Sequence, residues 1–203
     1  MSKKGILVLL FVFALFSAPT ALFAEAETHD GFYLNFQLGA GSGETIYEIS
    51  GYDDRELTGS TGVFRIKAGY APFDNLIVYG LYGVFNQSKP DVKIGSVEGE
   101  ATFDSTYYDF GGGVCYYFMP FNAYISADIA STTTRWSDSD DTLDSGRGLS
   151  YTLSFGKEWW VSENWGLGVA LIASKANISD GGDFPGDKFS HTFYGIAFTA
   201  TYN

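Results

Sequence analysis

Three groups of residues have the types that chemistry needs. Ser190-His191-Thr192 sets a hydroxyl beside an imidazole. Such a pair makes a nucleophile and a base only when the two side chains meet and an acid orients the histidine. The flanking residues alternate as a strand does, so 190 and 191 point to opposite faces. That geometry speaks against catalysis. The chain is expected not to be an enzyme and to need no cofactor. The second group is Asp138, Asp140, Asp141 and Asp144, within Ser137 to Gly146. Several oxygens in a short loop suit a hard cation, but the spacing completes no EF-hand loop and no glutamate closes it. A solvated acidic loop is the stronger reading, with these four aspartates as weak metal candidates. Asp180, Asp183 and Asp187 read the same way. The third group is Arg65, Lys67, Asp109, Asp128 and Glu158. Each lies on the polar phase of an alternating run, and five charges on inner faces imply a buried network.

The elements that must position these residues are strands. From Gly31, Phe32, Leu34, Phe36, Leu38 and Ala40 share one face, and Tyr33, Asn35, Gln37 and Gly39 share the other. Period two with unlike faces is a strand between two environments. Further runs are read over Val63 to Ala71, Leu76 to Asn86, Phe103 to Phe118, Ala123 to Thr132, Gly148 to Trp159, Trp165 to Ala173 and Ser190 to Tyr202. In the Leu76 run the even positions are assigned outward. Eight runs of roughly 9–11 residues suit tilted strands that cross a bilayer. Short turns follow the second, fourth and sixth. Long connections span Gly41 to Gly62, Gln87 to Thr102, Thr133 to Arg147 and Lys175 to Phe189. Tight turns on one side and long loops on the other are the asymmetry of outer-membrane barrels. A soluble sandwich has no reason to segregate its loops so regularly.

Lys3 and Lys4 precede an apolar run from Ile6 to Phe16, and Ala24-Glu25-Ala26 supplies an A-x-A site. Ser17, Ala18 and Pro19 interrupt that run before the roughly 20 residues a membrane helix needs. Residues 1–26 are therefore expected to be a signal peptide cleaved after Ala26, with Ala24 as the next candidate. Residues 27–203 form a single barrel domain. The net charge of −12 offers phosphates no basic patch and argues against a nucleic-acid partner. Cys115 is the only cysteine, so the fold holds without an internal disulfide. His29, ahead of the first strand, is expected to be mobile. Tyr70, Phe73, Phe118, Phe121, Trp159, Trp160, Trp165 and Tyr202 cluster near the short turns, as interfacial aromatics do. The turn from Trp159 to Trp165 is expected to anchor the barrel's depth, with Glu158 turned inward toward Arg65 or Lys67.

Strand number, loop asymmetry, the aromatic bends and the terminal run Gly195 to Asn203 together resemble the small eight-stranded outer-membrane barrels of the OmpX and OmpA transmembrane-domain type. The resemblance covers nearly all of the chain after residue 26. It implies an all-β, up-and-down antiparallel barrel in the outer membrane, surrounded by lipid and lipopolysaccharide. It also implies delivery to the barrel-assembly machinery through the last strand. Tyr202 is penultimate here, a departure from the family's terminal phenylalanine. The resemblance carries no catalytic residues across, and the His-x-Ser-Asn arrangement of the lipid A deacylase barrels is missing. Three functions follow in order of weight. The first is a monomeric barrel that displays loops for surface interaction or adhesion. The second is a small pore or path for small or hydrophobic solutes. The third is a lipid A-modifying enzyme.

Overall fold

The structure is a computed structural model that describes residues 28–48, 54–119, 121–137, 142–179 and 188–203, with the backbone alone for 142–145. The stretch expected to be a signal peptide, with its two candidate cleavage sites, and Asp138, Asp140, Asp141, Asp180, Asp183 and Asp187 lie outside those residues. Ten strands are described: β1 (Gly31–Glu48), β2 (Arg55–Phe73), β3 (Leu76–Gln87), β4 (Asp91–Ile94), β5 (Val97–Glu100), β6 (Asp104–Phe118), β7 (Ala123–Ser137), β8 (Thr142–Trp160), β9 (Trp165–Ser179) and β10 (Lys188–Tyr202). Eight of them close a barrel in the order β1-β2-β3-β6-β7-β8-β9-β10, and β10 pairs with β1. Every pairing is antiparallel. The architecture is the eight-stranded up-and-down barrel that the alternation implies.

Two features depart from the sequence reading. The strands run well into the stretches expected to be loops. β1 reaches Glu48, β2 starts at Arg55, β7 reaches Ser137 and β8 starts at Thr142. Asp144, expected in a loop, pairs with Arg135 in the β7–β8 ladder. The reason is that a polar–apolar contrast marks a strand only where its two faces meet different media. Where water wets both faces the contrast fades, while the backbone ladder continues. The second feature is the short hairpin β4–β5, inside the connection after β3. β4 pairs with Arg55–Thr58 of β2, above the point where β3 ends.

The faces follow the pleat. Outward side chains form an apolar belt with little protein to cover it: Phe198 is 76% exposed and Phe110 75%. An exposed apolar surface of that extent needs a lipid cover. The even positions of β3 do point outward, with Val78 and Tyr82 exposed and Tyr79, Leu81 and Phe85 buried. The short turns reverse the chain through Asn75 and Asn122, both at positive φ (65° and 49°). Asparagine tolerates that backbone because its short amide bonds locally.

Candidate functional site: the filled lumen and its two ends

The lumen holds all five of the charged residues expected there, and all five are buried. They do not form one network. At mid-height, Arg65 Nη2 donates to Asp128 Oδ2 at 2.7 Å, and Lys67 Nζ lies 3.8 Å from Asp128 Oδ1. Lys67 also donates to Tyr79 Oη (3.3 Å) and Ser126 Oγ (3.2 Å), and Tyr79 donates to Asp128. One carboxylate thus serves two cations. Asp109 belongs to a separate group, where it accepts from Thr132 Oγ1 (2.6 Å) and Ser150 Oγ (2.9 Å).

Glu158 forms a third group and corrects the sequence reading. It turns inward, yet it reaches neither Arg65 nor Lys67. It accepts instead from Thr201 (2.6 Å), Thr199 (3.2 Å) and Tyr117 (3.2 Å). Thr201 in turn accepts from Asn35 Nδ2 at 2.7 Å. This chain of bonds latches β1, β10, β8 and β6 together. The cause of the difference is height: Glu158 lies near the short turns, and those three hydroxyls are its nearest donors.

The short-turn end is closed by a residue that the sequence reading left mobile. His29 is fully buried. Its Nε2 meets Asn122 Oδ1 at 2.7 Å, its carbonyl accepts from Asn75 N at 2.8 Å, and its N–H donates to Asn75 Oδ1 at 3.2 Å. Its ring stacks on Tyr117 at 3.5 Å and lies 4.8 Å from Trp160. The two turn asparagines therefore hold the plug. Trp160 is withdrawn from the girdle: it is 4% exposed and packs inward beneath His29. Its neighbour Trp159 takes the outward phase, as the pleat requires.

Burial pushes the His29 imidazole below its ordinary pKa of 6.5, against smaller opposing effects from Asn122, Asn203 and Asp30. In the unfolded chain the ring takes its proton near pH 6.5, while in the folded chain it does so only at lower pH. The stability linked to neutral His29 is therefore complete above pH 6.5 and is lost as pH falls toward the folded value. Between pH 8 and pH 5 the urea midpoint of the wild type should fall further than that of His29→Gln. Parallel curves for the two proteins would show that the plug does not titrate.

At the other end, His191 Nδ1 meets Thr45 Oγ1 at 2.9 Å, Thr45 meets Tyr107 Oη at 2.7 Å, and the Tyr107 and His191 rings stack at 4.0 Å. Ser190 faces outward and His191 inward, so the pair does not meet. No carboxylate bonds His191 among the described residues. Above it Tyr47, Trp136 and Phe189 form an aromatic cap, with ring centroids 4.9–6.3 Å apart. Among the described residues no group of three or more His, Cys, Asp or Glu side chains could hold a metal. Cys115 is buried and packed in the core. Sequence reasoning missed His29 and the aromatic cap, because both lie outside strand segments with a clear hydropathy contrast.

Fold and lumen together define a class: the closed, side-chain-filled, eight-stranded barrel of the outer-membrane type. No protein-family model and no curated protein matches the chain. Among solved structures it is similar to Neisserial surface protein A, at 16% identity over 84% of this chain and 97% of that one (TM-score 0.49). It is also similar to OprG from Pseudomonas aeruginosa, at 16% identity over 89% and 100% (TM-score 0.46). The attachment invasion locus protein of Yersinia pestis is 12% identical over 84% and 99% (TM-score 0.43).

Proposed function

We propose that the protein is a non-enzymatic barrel of a bacterial outer membrane that displays its long-loop end at the cell surface. A cleaved signal peptide exports it, β10 presents it to the assembly machinery, and it works as a monomer. The short turns then face the periplasm, with Tyr70, Phe118, Trp159, Trp165 and Tyr202 as interfacial anchors. The observation that carries this reading is the packing of the lumen. Arg65, Lys67, Tyr33, Tyr107, Tyr117, Tyr124 and Phe193 are all essentially inaccessible to solvent. They fill successive levels of the barrel, as eight strands allow. His29 lies below them and the aromatic cap above. What remains available to a partner is the surface end, where the strand tips and the β4–β5 hairpin project.

A planar bilayer tests this reading. The reconstituted wild-type barrel should give no steady conductance steps. Ion-selective steps that disappear in Asp128→Ala would overturn display in favour of transport.

A further inference from the structure

We propose that the aromatic cap over the upper lumen is an acid-opened lid, and that His191 beneath it is the trigger. The proposal goes beyond display, because it gives the long-loop end two states and lets acidity select between them.

The level below the cap is polar and short of partners. Register sets Thr45 opposite His191, Thr61 opposite Gln87 and Thr134 opposite Tyr107 on the inner wall. Thr61 Oγ1, Gln87 Oε1, Thr134 Oγ1 and His191 Nε2 are buried and have no hydrogen-bond partner. Three of these side chains converge on the spot that a Cβ on Gly43 would fill: the Thr61 hydroxyl, the His191 ring edge at 2.9 Å and the Gln87 amide at 3.3 Å. Each unpartnered atom has given up water without compensation. The floor of this level is apolar. Phe85 and Phe193, one inward position below Gln87 and His191, pack edge to face at 5.1 Å. Water that enters from above can satisfy the polar level and stop at that floor.

The lid has a hinge and a weak hold. Trp136 packs against the rings of Tyr47 (5.4 Å), Phe103 (6.0 Å) and Phe189 (6.3 Å), and its Nε1 has no hydrogen-bond partner. A bulge between Thr133 and Thr134 separates Trp136 from the wall below, with Gly146 at φ 68° as the extra residue on β8. Such a bulge bends a strand locally. Aromatic burial favours the closed lid and the unpartnered level opposes it, so the two states lie close in free energy. His191 makes that balance sensitive to acid. Ser190 and Thr192 flank it on the outward face, so it stands above the apolar belt. The titratable groups that face it among the described residues are Tyr107 of β6, stacked on its ring, and Tyr47 of β1 in the cap. Asp109, one inward position below Tyr107, accepts from Thr132 and Ser150. Arg55, opposite Tyr47, is exposed above the cap. No carboxylate among the described residues lies within 4.0 Å of the imidazole. A proton taken up under the closed lid is therefore buried without a counter-charge, whereas an open lid lets water solvate it. Neutral His191 keeps the lid closed. Opening takes up one proton, so each pH unit below the ordinary imidazole value of about 6.5 raises the open-to-closed ratio by up to about tenfold.

The test is fluorine NMR of the intact barrel in micelles, carrying 5-fluorotryptophan at Trp136, Trp159, Trp160 and Trp165. Each resonance is assigned by replacing its tryptophan with phenylalanine. Trp136 reports the lid, and Trp160, beneath His29, reports the plug at the far end. From pH 8 to pH 5 the Trp136 resonance should move toward the position and the solvent-isotope shift of a water-exposed indole, while Trp160 keeps its own course. His191→Gln should hold Trp136 at its pH 8 position throughout. Gln87→Glu keeps the side-chain volume and sets a carboxylate beside the imidazole, so the closed lid can carry the proton. It should lower the open-to-closed ratio at pH 5 by about tenfold or more. A Trp136 resonance that does not move between pH 8 and pH 5 would overturn the proposal, as would one that titrates equally in His191→Gln. An open-to-closed ratio in Gln87→Glu at or above that of the wild type would do the same. A Trp136 change that appears only in step with Trp160, and vanishes in His29→Gln, would assign the acid effect to the plug and remove the lid.

Discussion

Asp128→Ala should destabilise the folded barrel by about 3–5 kcal/mol, the cost of leaving buried charge without its partner. Arg65 and Lys67 have Asp128 as their one carboxylate within 4.0 Å among the described residues. Asp109 makes no ion pair within 4.0 Å with either cation and accepts from Thr132 and Ser150 instead. The loss corresponds to a change of hundreds-fold or more in the folding equilibrium, and urea unfolding in micelles followed by tryptophan fluorescence will read it. A second variant separates lost charge from lost volume. Arg65→Met, Lys67→Met, Asp128→Leu removes all three charges and leaves none unpaired. It should recover most of the stability, because replacing a whole buried ionic group by apolar residues is often neutral or favourable. A cost under about 1 kcal/mol for Asp128→Ala would mean that the cations are satisfied elsewhere, and the mid-height group would lose its role.

Gly156→Val should also destabilise the barrel, by about 1–3 kcal/mol, through overpacking. A Cβ built on Gly156 runs into the Tyr124 ring. That ring is buried, lies 5.2 Å from the Tyr117 ring, and carries a hydroxyl that accepts from Gln37 Nε2 at 3.4 Å. It has no free side to move toward. Replacing a strand glycine normally helps by up to about 1 kcal/mol, since it restricts the unfolded chain. The clash is the larger effect and sets the sign. Tyr124→Leu, Gly156→Val should relieve part of the loss, because the two residues touch and their effects do not add. If Gly156→Val alone raises the unfolding midpoint, the lumen is looser than the packing implies.

The barrel was legible in the sequence where two media border each strand. Phe36 against Gln37, Ile66 against Lys67 and Ile129 against Asp128 reveal in and out without a structure, because lipid and lumen demand opposite residues. The extension of β1 through Ser42 and Glu44 carries no such contrast, so the strand tips read as loop. The lumen charges were legible as a set and illegible as pairs. Inward phase follows from parity alone, but height depends on how each strand is staggered against distant ones. Glu158 and Lys67 share a face of the wall at different levels, and parity does not separate them. His29 was illegible for another reason. Its role comes from Asn75 and Asn122, two turn residues 46 and 93 positions away.

The latch at the short-turn end bears on how the circle is completed. β1 and β10 meet from Leu34 opposite Tyr202 to Glu48 opposite Lys188. A slip of two residues along this pair would keep every inward side chain inward, since the pleat repeats every two. Hydropathy alone therefore cannot reject such a misalignment. It would, however, set Tyr33 or Gln37 in place of Asn35 opposite Thr201. Thr201 would lose the amide that bonds it while it still had to serve Glu158. The first and last strands thus carry their own proofreading mark, legible to the chain only at the moment its two ends join.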